Sequence, residues 1–535
     1  MEKDLERIPL INFEDEHLLV INKPAGMNTH APAPFAGEGV YDWLRHREQR
    51  WSRLAILHRL DKETSGVLVF GKSPIANRSL TEQFTHRGVR KSYILVSDRK
   101  PGQDQFTAVS SLVRAGERYV SRPLHAGGER AETRFQVLET DGVRTLLEAS
   151  PITGRTHQIR VHAADHGLPI LGDTLYGGTP AGRLHLHAQE LNFKHPGNGA
   201  EVTFRVPATF SAEPWLELRR ALVDPCQTNA YRLLHGGSDG HPGWYVERLG
   251  DFILSQSESP PSARHFQLLT SWREPLAALG VYHKVLDRHL RRSTLEQVSP
   301  QNVIGDCAPD RFVVLENGMR FELSFQEGYS VGLFLDQRDN RRRLLVNHIA
   351  ADFPAWGSGS SGPEVLNVFA YTCGFSVCAA RAGARTTSLD LSKKYLEWGK
   401  RNFALNSVDP GSHDFIHGDA LAWMGRWGRQ KRLFDLILLD PPTFSRSREQ
   451  GVFQAERDFG KLVDAALPLL RPGGHLFAST NAAQLAPEVF VETVEAAVTR
   501  ARRTILQRHY APQPPDFPVS RAEPGYLKTL WVRLS

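Results

Sequence analysis

The chain has 535 residues, of which 41% are hydrophobic and 23% charged, with a formal net charge of +6 and a pI near 9.1. This length predicts two to four domains, and the composition is that of an ordinary globular protein, which argues against a disordered or fibrous chain. The basic balance fits a nucleic-acid partner, although many basic proteins bind none.

The cysteine spacing and the hydropathy of the chain indicate its cellular compartment. The four cysteines, Cys226, Cys307, Cys373 and Cys378, are scattered, which argues against a disulfide framework and against a structural metal. The N-terminus lacks the apolar core of a signal peptide, and no apolar run is long enough to span a bilayer. We therefore expect a cytoplasmic protein with no metal and no membrane partner.

The first predicted elements surround a polar loop. Residues 8–26 alternate apolar stretches with charge, which predicts two strands around an acidic turn. Residues 58–66 (HRLDKETSG) precede the apolar run Val67–Phe70, and this pattern predicts a strand, a tight loop and a strand. Asp61 lies in that loop between basic neighbours. An isolated Asp in a turn usually accepts hydrogen bonds from its own backbone, so the loop alone does not identify a site.

Two later segments add aromatic and basic side chains. An amphipathic helix is predicted over residues 73–88, and the following strand at residues 90–96 carries Tyr93, which by itself would be ordinary packing. The segment 154–162 (GRTHQIRVH) is predicted to open a helix on which His157 and Arg160 lie on one side. Arg160 alone would be a solvated charge, but beside a buried carboxylate an arginine favours the ionised form of that carboxylate.

Together these segments resemble the catalytic domain of RluA-type pseudouridine synthases, over most of residues 8–210. The resemblance implies that Asp61 is catalytic, that Arg160 is its charge partner and that Tyr93 stacks on a flipped uridine. Asp61 would act either as a nucleophile or as a base, and the sequence leaves both open. The implied reaction needs no cofactor. Three further residues are implied as substrate contacts: Arg59, Thr156 and His157.

The middle of the chain is rich in turn residues. The Gly and Pro density between Tyr231 and Asp251 predicts short strands in a small α+β module. This stretch resembles the linking domain of RlmI/RlmK-type ribosomal RNA methyltransferases, from whose usual text His241, Trp244 and Glu247 depart. The basic run at residues 285–293 has the charge to contact phosphates, although such a run is more often a solvated face.

From residue 364 the pattern alternates strands and helices. Strands are predicted at residues 365–369, 385–389, 434–439 and 475–478, with a helix at 393–405 among them. Repeated βα units predict a doubly wound parallel sheet that binds ligands at the carboxyl ends of its strands. The turn at residues 369–375 lacks a triple-glycine phosphate pattern, which favours S-adenosylmethionine (SAM) over a nicotinamide cofactor.

The run Asp440-Pro441-Pro442-Thr443-Phe444 and the segment 332–341 (GLFLDQRDNR) resemble class I SAM-dependent methyltransferases of the RlmI/RlmK type. The resemblance implies Asp440 as the catalytic residue, with three substrate contacts: Pro441, Pro442 and Phe444. It implies eight cofactor-binding residues: Asp336, Arg338, Asn367, Phe369, Tyr371, Gly374, Asp390 and Asp419. Asp390 would accept the ribose hydroxyls, and Asp419 would bind the adenine amino group unless it only caps a helix.

The methylated atom is predicted from a missing cysteine. Methylation at pyrimidine C5 normally needs a cysteine that adds to C6, and residues 479–482 read Ser-Thr-Asn-Ala where RlmI-type enzymes carry it. A base nitrogen has its own lone pair, so we predict nitrogen methylation, with guanine N7 favoured by the resemblance of DPPTFS (440–445) to RlmK-type enzymes. Cytosine C5 is the alternative.

The sequence therefore predicts a multidomain α/β protein. Its domains are expected at residues 1–220 (mixed-sheet pseudouridine synthase), 221–325 (small α+β linking domain) and 326–535 (Rossmann-like doubly wound SAM methyltransferase). The predicted function is a bifunctional enzyme that modifies RNA, with ribosomal RNA favoured and transfer RNA as an alternative. A ribosome-assembly factor with only one active catalytic domain is the competing class, and a nicotinamide oxidoreductase is a more distant one.

Overall fold

The computed structural model describes residues 8–211, 213–286, 299–327, 330–357, 362–447 and 451–535. The chain divides into two compact units. The first contains Met1–Pro32, Gly39–Asp42 and Arg53–Val223, and the second contains Ala33–Glu38, Trp43–Ser52 and Asp224–Ser535. Two short stretches of the early chain thus belong to the second unit. The domain bounds at residues 220 and 325 stay a prediction, and most of the basic run 285–293 lies outside the described residues.

The first unit is built on one mixed sheet of eleven strands. The strands are β1 (Ile11–Glu14), β2 (Leu18–Lys23), β3 (Ala55–Ile56), β4 (Ser65–Gly71), β5 (Arg90–Ser97), β6 (Gln105–Ala115), β7 (Arg118–Arg122), β8 (Glu129–Thr140), β9 (Thr145–Pro151), β10 (Leu186–Lys194) and β11 (Glu201–Arg205). Their order is β1-β2-β4-β10-β5-β9-β8-β6-β7, with β3 on β4 and β11 on β10. Strand β4 is parallel to β10, whereas β2 is antiparallel to β4 and β5 is antiparallel to β10.

Helices and short 3₁₀ turns connect these strands. The helices are α1 (Val40–Arg47), which begins in the first unit and ends in the second, α2 (Pro74–Thr85), α3 (Gln158–Asp165) and α4 (Pro214–Leu222). The 3₁₀ turns are Gln49–Trp51, Leu124–Ala126 and Thr174–Tyr176. Helix α2 begins where the sequence predicts, because the Ser73 hydroxyl accepts a hydrogen bond from the Ala76 N–H (3.2 Å) and Pro74 opens the first turn.

Strand β4 explains why the polar loop before it is fixed. All seven residues of β4 are buried, and the strand lies between β2 and β10. Such a central strand reads as a continuous apolar run, as the sequence does at Val67–Phe70. Val67 and Val69 pack in a core cluster with Leu18, Leu80 and others. The start of β4 is thereby held in the middle of the sheet.

The second unit begins with the linking module. Its sheet contains β12 (Ala230–His235), β13 (Trp244–Leu249), β14 (Phe252–Ser257), β15 (Gly280–Val285) and β16 (Gln301–Gly305), in that order. Helix α5 (Ala263–Arg273) connects β14 with its parallel neighbour β15, and a 3₁₀ turn (Gly236–Asp239) follows β12. A hairpin of β17 (Phe312–Glu316) and β18 (Met319–Leu323) completes the module. The predicted α+β character is confirmed.

The largest sheet of the second unit has seven strands. They are β19 (Glu364–Val368), β20 (Arg385–Asp390), β21 (Asp414–His417), β22 (Phe434–Leu439), β25 (Leu470–Thr480), β26 (Ile505–Tyr510) and β27 (Lys528–Leu534), in the order β21-β20-β19-β22-β25-β27-β26. A small hairpin pairs β23 (Phe444–Ser447) with β24 (Gly451–Gln454). The helices are α6 (Arg338–Leu345), α7 (Gly374–Arg381), α8 (Lys393–Leu405), α9 (Ala420–Arg429), α10 (Ala455–Ala466) and α11 (Pro487–Arg500), with 3₁₀ turns at Leu335–Gln337, Pro410–Ser412 and Leu467–Leu469.

The doubly wound α/β character is confirmed, and the predicted parallel sheet also contains an antiparallel strand, β27. Strands β19–β22 and β25 are parallel, whereas β27 is antiparallel to both β25 and β26. The reason is the chain path, since no helix crosses between β26 and β27 and the loop-like stretch 511–527 returns the chain in the opposite direction. One hydrophobic cluster contains Phe252 and Leu254 of the linking sheet together with Val365, Leu436 and Trp531.

Candidate active sites in the two units

The loop that carries Asp61 is fixed by a close backbone approach. Gly66 has a φ of +122°, and a Cβ there would lie 2.2 Å from the carbonyl oxygen of Ala188 on β10. Only glycine fits this position, because the neighbouring strand leaves no room for a side chain. The end of the loop is thus set by strand pairing in the sheet.

A buried lysine on a neighbouring strand binds the backbone of the loop. Lys23 is fully buried, and its ammonium donates to the carbonyl oxygens of Pro24 (2.9 Å), Met27 (2.7 Å) and Lys62 (3.2 Å). Burial lowers the pKa of Lys23 to about 7, while the charges of Glu63 and Asp61 act in the opposite direction. The sequence pattern alone does not identify this lysine as part of the site, although it lies within the residues that resemble the synthase family.

Asp61 lies beside two nitrogen donors. Its Oδ2 is 3.6 Å from Arg160 Nη1 and 3.8 Å from His157 Nε2. Arg160 also forms a two-point pair with Asp173, from Nε to Oδ2 (2.7 Å) and from Nη2 to Oδ1 (2.7 Å). Asp173 is 2% exposed, so it fixes the plane of the guanidinium and directs the remaining Nη1 towards Asp61. The role of Asp173 was missed by the sequence analysis.

A hydrogen-bonded tyrosine sets the tautomer of His157. The Tyr176 hydroxyl accepts from the backbone N–H of Tyr119 (2.9 Å) and therefore directs its own proton at His157 Nδ1 (2.7 Å). This assignment leaves the ring proton on Nε2, the nitrogen that faces Asp61. Burial lowers the pKa of His157, opposed by the charge of Asp61, so the ring is neutral near pH 7. His157 has a φ of +57° and precedes helix α3 rather than lying in it.

A cavity of about 390 Å³ opens in front of Asp61, a volume in the range of small-molecule sites. All six residues that the sequence predicts for this unit line it: Arg59, Asp61, Tyr93, Thr156, His157 and Arg160. Tyr93 offers an aromatic ring, and burial together with the charge of Asp61 raises the pKa of its hydroxyl, which stays protonated. Arg59 is exposed at the rim.

The first turn of the methyltransferase sheet has an unusual backbone. Three residues after β19 take positive φ values: Phe369 (63°), Tyr371 (48°) and Cys373 (62°). Left-handed conformations of non-glycine residues are costly and concentrate at ligand sites. The carboxylate of Asp390 holds this turn, since it accepts hydrogen bonds from the N–H groups of Tyr371 (2.8 Å) and Ser392 (2.8 Å). Burial raises the pKa of Asp390, and these two hydrogen bonds oppose the shift.

Other predicted cofactor residues support this strand edge. Asn367 is buried and donates to the Ser376 hydroxyl (2.9 Å), which fixes the start of helix α7. Gly374 is buried at the first position of α7. Asp419 caps helix α9 by accepting from the Ala422 N–H (3.0 Å). The cap does not use all acceptor positions of this carboxylate.

Asp440 ends strand β22 in a polar cluster. Gln337 donates to Asp440 Oδ1 (3.2 Å) and to the Ser479 hydroxyl (2.8 Å). Burial raises the pKa of Asp440 to about 6. Pro441 is buried after it, whereas Pro442 and Phe444 are exposed and do not line a described cavity.

The segment before helix α6 has two different roles. The carboxylate of Asp336 accepts from the Tyr526 hydroxyl (3.0 Å) and lines a second cavity of about 210 Å³. Arg338 instead is 4% exposed and pairs at two points with Asp516 (2.8 and 2.6 Å). This pair fixes the segment before helix α6, and cofactor binding by Arg338 stays a prediction.

The cysteines are not placed for nucleophilic attack in the second cavity, among the residues described there. Cys373 and Cys378 are buried, and burial raises the pKa of both thiols, that of Cys373 to about 12. Cys226 and Cys307 are exposed. Near the end of β25, where RlmI-type enzymes carry a cysteine, this chain has Ser479, which contacts Gln337. Asn481 follows the strand and lines the cavity.

Two wider features concern metals and membranes. Within the described chain, Glu38, His46 and His509 form a group whose ligand atoms lie within 4.8 Å of one another. Arg343 Nη2 lies 3.7 Å from Glu38 Oε1, and its positive charge compensates that of the carboxylate. The expectation that the protein binds no metal stays a prediction. No helix in the described ranges is long and apolar enough to cross a membrane.

Comparisons with known proteins match a different family to each part of the chain. The family model described as RNA pseudouridylate synthase matches residues 17–165, and the model described as S-adenosylmethionine-dependent methyltransferase matches residues 258–533, more than half of the chain. A ribosomal RNA large subunit methyltransferase of Deinococcus radiodurans is 35% identical over 333 residues, covering 60% of this chain and 77% of that protein. The ribosomal large subunit pseudouridine synthase C of Salmonella typhi is 38% identical over 228 residues, covering 40% of this chain and 70% of that protein.

Solved structures give the same result for the second unit. One described as a candidate methyltransferase, complexed with S-adenosylhomocysteine, is 27% identical with a TM-score of 0.51, covering 64% of this chain and 87% of that one. The chain therefore belongs to both the RNA pseudouridylate synthase and the SAM-dependent methyltransferase families, as an enzyme that joins an RluA-type synthase to an RlmI/RlmK-type methyltransferase.

Proposed function

We propose that the first unit converts uridine to pseudouridine in large-subunit ribosomal RNA, with transfer RNA as the alternative substrate. The proposal rests on one observation, the convergence of Asp61, Arg160, His157 and Tyr93 on a single cavity. The name of the Salmonella relative, a ribosomal large subunit pseudouridine synthase, supports the choice of RNA. No cofactor is needed, because the C1′–N1 bond breaks, the uracil rotates, C1′ joins C5, and the proton of C5 moves to N1.

Each side chain around the cavity has its own role in this reaction. Asp61 either attacks C1′ or removes a ribose proton, and both routes need its ionised form. Arg160 and the N–H of His157 stabilise that charge and the charge that develops on the uracil. The Tyr93 ring supplies a stacking surface for the flipped base, and Arg59 at the rim fills the space left in the RNA.

The second unit transfers, in the same proposal, a methyl group to guanine N7 of large-subunit ribosomal RNA. The donor site fits SAM, since a carboxylate, Asp390, ends β20 beside the strained turn and Asp419 follows the next strand end. SAM supplies an electrophilic methyl group on sulfur. Asp390 would hold its ribose and Asp419 its adenine amino group. Phe369 and Tyr371 would form the floor of the donor site, and Gly374 would leave room at the start of α7.

The acceptor atom is inferred from the groups around Asp440. A ring nitrogen attacks with its own lone pair, so this chain needs only to orient it and to stabilise the positive charge that the methylated purine gains. Asp440 and Asp336 are two carboxylates placed for that purpose. Attack through C5 of cytosine would need a thiolate, and the buried Cys373, with its raised pKa, does not provide one. The substrate contacts Pro441, Pro442 and Phe444 stay proposals.

The test is a set of two single variants of the full chain. Purified wild type, Asp61→Asn and Asp440→Ala would be incubated with SAM and in-vitro-transcribed large-subunit ribosomal RNA. We expect wild type to form pseudouridine and N7-methylguanosine, and each variant to lose one product. Formation of 5-methylcytidine would reject the choice of acceptor, and retention of both products by both variants would reject the two sites. A cytoplasmic location and the domain bounds 1–220, 221–325 and 326–535 are part of the same proposal.

A further inference from the structure

One wall of the second cavity is formed by the linking sheet, to which the proposed chemistry gives no role. Arg232, Glu247 and Leu254 are direct partners across strands β12, β13 and β14, and all three line the cavity. Gln256 and Lys284 are partners across β14 and β15 and line it too. Residues that are paired across neighbouring strands point to the same face of a sheet. One face of the linking sheet therefore presents a polar row to the cavity.

A buried carboxylate lies within this row. Arg232 Nη2 donates to Glu247 Oε1 at 2.8 Å, and Arg232 and Glu247 are only 9% and 8% exposed. The Arg232 guanidinium lies over the Phe517 ring, 4.6 Å from its centre, which fixes its plane. Lys284 is 4% exposed and its charge also acts on Glu247. Burial raises the pKa of Glu247, and the charges of Arg232 and Lys284 oppose that shift. A carboxylate has about four acceptor positions, so Glu247 can accept further hydrogen bonds from a ligand.

Another part of the cavity wall lies next to the proposed methyl-transfer site. It is formed by Asp336, which accepts from Tyr526, and by Asn481. The Thr443 hydroxyl donates to Asn481 Oδ1 (2.7 Å), which leaves the Asn481 amide N–H groups as donors. Asp336 is followed by Gln337, the residue that contacts Asp440. The cavity thus has an anionic acceptor on the linking-sheet side and a donor on the side of Asp440.

We propose that this cavity binds the acceptor guanine and that Glu247 reads its Watson–Crick edge by accepting from N1–H and from the N2 amino group. This inference rests on the proposed methyl transfer to guanine. Guanine alone among the four RNA bases has two adjacent donors on that edge, since adenine and cytosine place an acceptor beside their amino group and uracil flanks its one N–H with two acceptors. A fixed carboxylate therefore selects guanine, as pockets for flipped bases commonly do through this edge.

The same arrangement orients the reacting atom. In a purine, N7 lies on the side of the ring system away from N1 and N2. With N1 and N2 on Glu247, N7 is directed away from that carboxylate, and the Asn481 amide is a donor available to O6 within the same cavity. Leu254 and Phe517 supply apolar walls for the ring. The linking sheet is then the part of the molecule that recognises the base, and the methyltransferase sheet holds the donor.

The test measures discrimination between guanosine and inosine, which lacks only the N2 amino group. After the methylated position has been mapped with wild type on in-vitro-transcribed large-subunit ribosomal RNA, two fragments carrying guanosine or inosine there are compared with tritiated SAM. We expect wild type to prefer guanosine by about 10- to 100-fold in kcat/KM. Glu247→Gln should lose most of this preference while its affinity for SAM is unchanged, and Glu247→Asp should keep it, since the carboxylate is retained.

The outcomes separate this inference from the proposed function. Failure of wild type to form N7-methylguanosine would overturn the proposed function itself. A wild-type preference near one, or a preference that Glu247→Gln retains, would overturn the role of Glu247 while leaving N7 methylation intact. Gln256→Ala is the matched control, because it alters the same cavity wall without touching the carboxylate and should keep the preference. If Glu247→Gln lowers the melting temperature, the comparison still decides, because both kcat/KM values come from the same preparation and their ratio does not depend on its folded fraction.

Discussion

Asp61 has its carboxylate within 4 Å of Arg160 Nη1 and His157 Nε2, at 3.6 and 3.8 Å. We predict that Asp61→Asn lowers pseudouridine formation by at least about 100-fold, because the amide can neither attack C1′ nor take a proton at a useful rate. SAM affinity should be unchanged. Isomerisation assays on purified RNA and calorimetry with SAM would measure both, and normal isomerisation by the variant would reject the assignment.

Asp173 acts, in this account, through Arg160. Asp173→Asn removes one charge and weakens the two-point pair, so Arg160 is no longer held with Nη1 towards Asp61. We predict a fall of about 10- to 100-fold in kcat for pseudouridine formation, in keeping with a loss of about 1.5–3 kcal/mol per charged hydrogen bond, with little change in KM. The control is Asp165→Asn, at the exposed end of helix α3, which carries Arg160. A change in KM alone would contradict a positioning role.

The pKa of Asp440, raised to about 6 by burial, predicts a pH dependence of methyl transfer. If the ionised carboxylate stabilises the cationic product, kcat/KM falls about tenfold per pH unit below pH 6 and is level above it. Because the folded-state pKa lies above the ordinary 3.8, this group opposes folding as pH rises from about 4 to 6. Asp440→Asn should therefore remove the pH dependence and raise the melting temperature at pH 7.5; an unchanged pH profile would exclude this role.

At the scale of elements, the loop before β4 depends on a lysine outside it. Lys23→Met removes three hydrogen bonds to backbone carbonyls, including that of Lys62 in the loop. We predict a loss of about 1–3 kcal/mol in unfolding free energy and slower isomerisation, because the loop is no longer fixed. Lys194→Met on the exposed end of β10 should change neither. Chemical denaturation and isomerisation assays would measure the two effects.

The strand-end turn of the methyltransferase sheet depends on Asp390 in the same way. Asp390→Ala removes the acceptor of two backbone N–H groups and the proposed ribose contact. We predict that SAM binding weakens by about 1–3 kcal/mol. Asp414→Ala, on the neighbouring strand but paired with Arg432, is the control. If calorimetry finds the same SAM affinity in wild type and Asp390→Ala, Asp390 does not bind the cofactor.

The sequence predicted elements well where the local pattern decides them. Helix α8 lies at Lys393–Leu405, as predicted, because its start has a capping serine and its apolar face is regular. The final strand, β27, is predicted at residues 526–532, but its antiparallel direction is not, since strand direction depends on the path of an irregular loop and not on periodicity. Lys23 and Asp173 were not identified as parts of the site because each acts through a partner distant in sequence, Lys62 or Arg160. Their only signal was membership in segments that resemble the family.

At the scale of the whole molecule, the early chain contributes to the second unit. Trp43 is 2% exposed and donates to Asp339 (3.0 Å), and Glu48 pairs with Arg342. A fragment of residues 1–223 lacks both partners and exposes Trp43. We therefore predict that this fragment melts below the first transition of the full chain or aggregates. Melting of the fragment at the full-chain temperature would mean that the loss of these contacts does not destabilise residues 1–223.

We propose that one chain performs two independent modifications on ribosomal RNA. The most direct test of this proposal is quantitative mapping of pseudouridine and methylated bases in large-subunit ribosomal RNA from cells that express wild type, Asp61→Asn or Asp440→Ala as the sole copy. We predict that Asp61→Asn loses one or more pseudouridines and keeps every methylated base, and that Asp440→Ala loses an N7-methylguanosine and keeps every pseudouridine. Identical modification profiles in all three strains would contradict the account.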